Sequence, residues 1–204
     1  MNEIFLAIDI QNDFIAPNGK LYIQGAEKLK PIWEGLTDYA RKENYQLVYT
    51  GDSHILNDKE ISKTPDFKKT FPAHCIIHTR GADFIPEVKP INPYILDWLS
   101  PRFPSSKYIH EKEVVIYKNK FDVFEGNPYT DKILEALEPK AFFVYGVATN
   151  VCVDFAVKGL ANRGYKVIVI KDAIKELPGA DLKTIFEEWR ELGVTFLNFI
   201  GGKI

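Results

Sequence analysis

The stretch AFFVYGVATNVCVDFAVKGLAN, residues 141–162, decides the fold. Its first part, 141–147, is an apolar run that predicts a buried strand, and 150–163 has the apolar spacing of a helix. Cys152 therefore falls at the start of that helix, where backbone N–H groups and the helix dipole favour a thiolate and lower the pKa of a thiol. The alternative is an ordinary buried thiol, since free cysteine is among the most buried residue types.

Short apolar runs alternate with helical patterns over most of the chain. Strands are predicted at 4–10, 46–50, 114–117, 141–147, 166–170 and 195–199, and helices at 27–42, 129–137, 150–163 and 182–192. Apolar strands separated by helices are typical of a parallel sheet that is covered on both faces. We therefore predict a doubly wound α/β fold with a mostly parallel sheet, in a single domain over residues 1–204.

Residues 51–107 interrupt this alternation. Prolines at 65, 72, 86, 90, 93, 101 and 104 punctuate the segment, and we expect one short helix at 93–99. A long irregular excursion in a compact domain more often forms an active-site wall than a spacer.

Composition limits the class of partner. The net charge is −2, and the lysines are scattered rather than clustered, which argues against nucleic acid and against a membrane surface. No apolar run approaches the roughly 18 residues of a membrane span. We expect a cytoplasmic protein with a small-molecule partner, in which both cysteines, Cys75 and Cys152, are free.

Charged residues fall at the ends of the predicted strands. Asp9, Asp52 and Lys118 each end a strand, and Cys152 follows another. The carboxyl ends of parallel strands share one edge, so these side chains can converge. Asp9 could then accept the thiol proton while Lys118 stabilises the charges. The alternative is that Asp9 and Lys118 form only a structural ion pair.

A second group has the residue types of a metal site. Asp52 and His54 face the same way in an extended backbone, and His74 can close the site from another loop. Two imidazoles and one carboxylate suit zinc, iron or manganese with open positions, and Glu60 is a candidate extra ligand. Alternatively the histidines are unrelated surface residues, or His74 is a metal-free base for Cys152. The remaining histidines, His78 and His110, are expected to be structural.

Three ordered motifs resemble those of the isochorismatase-like cysteine hydrolases: DIQNDF at 9–14, VVIYKNKFDVF at 114–124 and YGVATNVCV at 145–153. The resemblance implies that Asp9, Lys118 and Cys152 form the catalytic triad, with Lys118 favoured over Lys120 by its spacing to Phe124. It also implies a three-layer, six-stranded, Rossmann-like sheet and a homo-oligomer.

Within that superfamily, DSH at 52–54 and FPAHC at 71–75 resemble the metal site of nicotinamidases and pyrazinamidases. The resemblance implies a metal-assisted cysteine amidohydrolase that converts nicotinamide to nicotinate through a thioester, with zinc as the first expectation. The chain departs from the usual pattern at Phe71, where a tryptophan is common, at Asp122–Val123 in place of Tyr-Ser, and in the insert at 90–107.

The resemblance also suggests parts of the pocket. The N–H groups of Ala148 and Cys152 would form the oxyanion hole, and the Val147–Ala148 peptide would be cis. Aromatic faces pack well on a planar heterocycle, and three candidates for clamping it are Phe14, Phe71 and Phe124. Two alternatives remain: a hydrolase of the same fold acting on a ureido, carbamoyl or isochorismate-type substrate, and a non-catalytic binding module.

Overall fold

The structure, a computed structural model, describes residues 3–103 and 109–201. Over these residues one sheet has seven strands: β1 Glu3–Ile8, β2 Gln46–Asp52, β3 Tyr94–Leu96, β4 Val114–Lys118, β5 Ala141–Val147, β6 Val167–Lys175 and β7 Thr195–Leu197. Their order is β3-β4-β2-β1-β5-β6-β7, and every pairing between them is parallel. The predicted α/β sheet is confirmed, with one strand more than the resemblance implied.

Helices cover both faces of the sheet. They are α1 Asn12–Ile15, α2 Lys30–Lys42, α3 Val123–Gly126, α4 Thr130–Leu137, α5 Cys152–Asn162 and α6 Leu182–Glu191. Side chains alternate along a strand, so β1 contributes to a hydrophobic core on each face of the sheet. Phe5 belongs to the cluster that contains Trp33 of α2, whereas Leu6 belongs to the cluster that contains Leu134, Val153 and Trp189. Three layers result, as predicted.

The predicted short helix at 93–99 is wrong. Residues Tyr94–Leu96 form the edge strand β3, which pairs with Val114–Ile116 of β4. A short apolar run cannot be assigned to helix or strand by periodicity alone. Pro93 immediately before the strand agrees with the preference of proline for strand starts and edges.

The predicted irregular excursion lies over the carboxyl edge of the sheet. Between β2 and β4, the described residues contain only strand β3 and short 3-10 turns, among them Arg80–Ala82 and Pro86–Val88. Isolated bridges join His54 to Ile76 and Ile61 to Phe71, so the segment folds back on itself. The end of the predicted excursion, 104–107, lies outside the described residues.

The chain enters the sheet at its centre. From β1 it proceeds to β2 on one side and later to β5 on the other, which makes the carboxyl end of β1 the topological switch point where such folds bind ligands. β1 stops at Ile8 because Asp9 adopts a left-handed backbone, with φ 51°. Among the described residues, no helix has the length and apolar character that a bilayer crossing requires.

Candidate active site

The four charged or nucleophilic side chains predicted at strand ends meet at the carboxyl edge of the sheet. A carboxylate oxygen of Asp9, one of Asp52 and the Sγ of Cys152 all lie within 4.8 Å of one another. The ammonium of Lys118 lies 2.9 Å from Asp9 Oδ2 and 3.6 Å from Cys152 Sγ, and it also donates to Asp52 Oδ1. The geometry therefore brings an acid, a cation and a thiol into contact.

Asp9 is fully buried and is held at both carboxylate oxygens. Thr50 Oγ1 donates to Oδ1 at 2.6 Å, and Lys118 approaches Oδ2. Burial raises the pKa of Asp9, the Asp52 carboxylate raises it further, and together they outweigh the lowering by Lys118 and Thr50. A carboxylate with a raised pKa is a stronger base, which suits it to accept a proton from a neighbouring thiol.

Asp52 and Lys118 are register partners on β2 and β4, so their side chains project together. Burial alone would raise the pKa of Asp52, but Lys118 and the histidines His54 and His74 hold that pKa well below its usual range. Burial would likewise lower the pKa of Lys118, but Asp52 and Asp9 outweigh it and raise that pKa well above its usual value. Lys118 is thus a permanent buried cation.

Cys152 differs from expectation in its protonation. Its side chain is buried at the start of α5, and burial raises its pKa well above the usual value although Lys118 acts to lower it. Asp9 and Asp52 raise this pKa further. The predicted lowering of the thiol pKa is therefore wrong for the resting site, where Cys152 is a thiol that needs a base.

Two candidate oxyanion donors, the N–H groups of Ala148 and Cys152, belong to residues that line one pocket. Cys152 is the first residue of α5, so its N–H has no acceptor within the helix. Ala148 lines the same cavity as Cys152, and the Val147–Ala148 peptide is cis, as the resemblance implied. The role of these N–H groups as an oxyanion hole stays a prediction.

Asp52, His54 and His74 form a compact group of potential metal ligands, and all three are buried. Asp52 Oδ2 lies 3.7 Å from His54 Nε2 and 3.5 Å from His74 Nε2. Ligand atoms around a tetrahedral zinc ion with bonds of about 2.0–2.1 Å are roughly 3.3 Å apart, so the set needs only a small contraction. His54 Nε2 is buried without a hydrogen-bond partner, which fits a nitrogen reserved for an ion.

The outer nitrogens of both rings are occupied. Nδ1 of His74 lies 2.7 Å from the carbonyl oxygen of Pro72, and Nδ1 of His54 lies 3.1 Å from Asp58 Oδ2. Such contacts fix the tautomer and direct Nε2 toward the ion in metal sites. The residues present therefore fit a divalent metal.

The other candidate ligands lie apart from this group. Glu60 does not belong to the three-residue cluster; its Oε1 accepts from the Phe121 N–H at 3.2 Å, and burial raises its pKa to about 7. His78 and His110 are exposed, in agreement with the expectation that they are not site residues.

A small pocket opens onto the Cys152 thiol and onto two of the potential metal ligands, Asp52 and His74. Its lining residues are Phe14, Leu21, Ile23, Asp52, Phe71, His74, Phe121, Ala148, Val151, Cys152 and Leu177. Phe14 and Phe71 lie in its wall, as expected. Phe124 does not: its ring packs against Gly159 of α5, with the Arg163 guanidinium 3.5 Å from the ring centroid. Phe121, which lies 5.5 Å from Phe71 between ring centroids, takes its place.

Comparison with known proteins shows which family the chain resembles. A model of the isochorismatase domain matches residues 102–198. The nicotinamidase/pyrazinamidase of Mycobacterium tuberculosis is 34% identical over 83 residues, which is 41% of this chain and 44% of that protein. The crystal structure of pyrazinamidase from Pyrococcus horikoshii in complex with zinc matches 98% of this chain and 100% of its own, with a TM-score of 0.76 and 24% identity.

The chain is similar to the isochorismatase-like superfamily, in sequence over residues 102–198 and in its fold. The fold comparison does not separate its branches. N-carbamoylsarcosine amidase from Thermoplasma acidophilum matches 97% of this chain and 96% of its own, with a TM-score of 0.73 and 23% identity. The substrate of this isochorismatase-like chain must therefore be argued from its own site.

Sequence reasoning missed several residues that shape this isochorismatase-like site. Asp58 contacts His54, and its spacing of four residues from that histidine was the available signal. Gln11 and Asp13 are polar residues inside DIQNDF, yet both are buried. Asp13 Oδ2 accepts from the N–H of Cys75 at 2.7 Å and thereby holds the loop that carries His74.

Proposed function

We propose that the chain is a cysteine amidohydrolase that converts nicotinamide, or a close heteroaromatic amide, and water to the carboxylate and ammonia. One observation carries the proposal. The thiol of Cys152 lines the same pocket as two potential metal ligands, Asp52 and His74, and Asp9 and Lys118 lie beside that thiol. The similarity to proteins named nicotinamidase and pyrazinamidase supports it.

Acylation begins with proton transfer from the Cys152 thiol to the Asp9 carboxylate. Sγ then attacks the carboxamide carbon, and the carbonyl electron pair moves to oxygen. The N–H groups of Ala148 and Cys152 would stabilise that oxyanion, each such donor contributing about 2.7–4 kcal/mol. As the C–N bond breaks, the proton on Asp9 passes to nitrogen, ammonia leaves and a thioester remains. Lys118 keeps Asp9 oriented throughout.

Deacylation reverses these roles. Asp9 takes a proton from water, the oxygen attacks the thioester carbon, and the thiolate of Cys152 leaves and recovers the proton from Asp9. A divalent ion bound by Asp52, His54 and His74 would supply a Lewis acid that orients substrate and polarises water, with zinc as the first candidate and iron or manganese as alternatives.

The cavity lining favours an uncharged planar substrate. Its described residues are aliphatic or aromatic apart from Asp52, His74 and Cys152, and none is a lysine or arginine. A substrate that carries its own carboxylate, such as an N-carbamoyl amino acid or an isochorismate-type acid, would find no lysine or arginine among these lining residues to pair with that charge, and burying an unpaired charge is costly. Phe14 and Phe71 offer ring faces instead.

The test is a measurement of ammonia release from nicotinamide, pyrazinamide, benzamide and an N-carbamoyl amino acid, combined with elemental analysis. We expect turnover of the two heteroaromatic amides, loss of activity after treatment with a chelator and recovery on adding back a divalent ion. Turnover of the N-carbamoyl amino acid alone would assign the carbamoyl branch. If elemental analysis finds no bound metal in a fully active protein, the ion has no role in the proposed reaction.

A further inference from the structure

His54 carries a carboxylate on the side opposite the proposed ion. Its Nδ1 lies 3.1 Å from Asp58 Oδ2, and the side chains of His54 and Asp58 are 0% and 7% exposed. The same Oδ2 accepts from the Ile55 N–H at 2.9 Å, and Asn119 donates to Oδ1 at 3.3 Å. Asp58 is therefore held on both oxygens and aimed at the imidazole.

The two histidines of the group differ in this outer contact. His74 Nδ1 meets a neutral backbone carbonyl, that of Pro72, whereas His54 Nδ1 meets a full negative charge. A carboxylate behind an imidazole fixes its tautomer, makes it a stronger ligand and typically raises metal affinity 10–100-fold. Because Nδ1 holds the proton toward Asp58, Nε2 is left with a free lone pair, in agreement with its lack of a partner.

Charge balance supports the same assignment. Asp9, Asp52 and Asp58 give three negative charges in contact with the site, and Lys118 gives one positive charge. A bound divalent cation would bring this set to neutrality, whereas without Asp58 the set would carry a net positive charge. A buried cluster is most stable when its charges are paired.

We propose that Asp58 is a positioning residue that orients His54 and sets how tightly the Asp52, His54 and His74 group binds a divalent ion. The inference rests on the metal site of the proposed function and deepens it. Asp58 touches neither substrate nor reacting atoms and acts only through His54. A purely structural role would be to cap the turn at Ile55, and the test must separate the two.

Asp58→Asn makes that separation, because an amide oxygen can still accept from Ile55, whereas the charge behind His54 and the 3.3 Å hydrogen bond from Asn119 are lost. The matched control is Asp66→Asn in the same excursion, where Oδ1 accepts from the N–H groups of Lys68, Lys69 and Thr70, none of which is a candidate ligand. Each full-length protein is stripped of metal and titrated with zinc in competition with a chromophoric chelator. The visible spectrum of the cobalt form and the Tm of the metal-free protein are also recorded.

For Asp58→Asn we expect zinc affinity to fall about 10–100-fold, with a shifted cobalt spectrum and an unchanged metal-free Tm, whereas Asp66→Asn keeps the wild-type affinity and spectrum. Wild-type affinity and spectrum in Asp58→Asn would overturn the inference and leave the metal site standing. An equal loss of affinity in both variants, or a loss matched by a lower metal-free Tm, would also overturn it. Failure of the wild type to bind zinc or cobalt would refute both this inference and the metal in the proposed function.

Discussion

The side-chain amide of Gln11 pairs with the backbone of Asp52 as a neighbouring strand would. Gln11 Oε1 accepts from the Asp52 N–H at 2.7 Å, and Gln11 Nε2 donates to the Asp52 carbonyl at 2.8 Å and to the Ala82 carbonyl at 2.7 Å. β1 has already ended at Ile8, so this amide replaces the strand beside the last residue of β2. It fixes the backbone from which the Asp52 carboxylate projects.

Gln11→Glu should therefore destabilise the protein and weaken its activity. The new carboxylate oxygen would face two carbonyl oxygens and leave them unsatisfied, which costs about 1–3 kcal/mol per buried group. Urea denaturation measures the loss. Gln46→Glu is the control, because Gln46 also donates to two carbonyls, those of Leu47 and Lys112, but is half-buried at the amino edge of the sheet. A larger loss of stability or activity in Gln46→Glu than in Gln11→Glu would contradict the prediction.

Cys152→Ala should abolish turnover while leaving metal binding and folding intact. Removing the nucleophile of a catalytic triad reduces kcat on the order of 10⁶-fold. Cys75→Ala supplies the comparison, because Cys75 is an equally buried free thiol that contacts the Gly81 carbonyl rather than the reacting groups. Steady-state ammonia release is measured for both variants, and we expect only Cys75→Ala to remain active. Amidase activity in Cys152→Ala would disprove the assignment of Cys152 as the nucleophile.

Asp9→Asn should lower kcat on the order of 10⁴-fold, the scale seen when a triad carboxylate is made neutral. The amide keeps the shape of the side chain but cannot take the Cys152 proton. Thr50→Val tests the supporting contact: it removes the 2.6 Å hydrogen bond to Asp9 Oδ1. Losing this bond would raise the pKa of Asp9 further, but the carboxylate would no longer be held toward Cys152. We therefore expect about a 10-fold fall in kcat, equivalent to one hydrogen bond of about 1.4 kcal/mol, with KM for nicotinamide unchanged. A larger effect of Thr50→Val than of Asp9→Asn would exclude Asp9 as the base.

Phe121→Ala should raise KM for nicotinamide, whereas Phe124→Ala should not. Phe121 lines the cavity and its loss removes an aromatic contact of about 0.5–1.5 kcal/mol, or roughly 2–12-fold in KM. Phe124 is half-buried against Gly159, so its truncation should instead lower the free energy of unfolding by about 1–3 kcal/mol. Steady-state kinetics and thermal unfolding of both variants test this difference. A raised KM in Phe124→Ala but not in Phe121→Ala would place Phe124, and not Phe121, in the substrate pocket.

Much of the fold follows from the sequence because its signals are local. Apolar runs of strand length alternate with helical spacing, and parallel strands bring Asp9, Asp52 and Lys118 to one edge whatever the loops do. β3 escaped prediction because Tyr94–Leu96 is too short to show a period, and its strand character comes from pairing with β4. The strand is a product of tertiary contact.

The details of the site depend on directions that spacing does not encode. Asp122 Oδ1 accepts from the Phe124 N–H and starts α3, which turns Phe124 toward α5 and leaves Phe121 facing the cavity. The protonation of Cys152 likewise depends on burial and on distances to three charged groups. Such quantities exist only once the chain is folded, so a helix-terminus argument alone gave the wrong direction for the thiol pKa.

The order β4-β2-β1-β5 at the centre of the sheet has a kinetic consequence. Each of these four adjacent strands delivers at least one side chain of the site at its end or just after it, and the strands come from widely separated parts of the chain. Parallel pairings between distant segments form slowly, because the chain loses loop-closure entropy before the stabilising contacts between the strands can form. Returning activity after dilution from denaturant should therefore lag behind the recovery of helical circular dichroism, which makes catalysis a late marker of complete assembly.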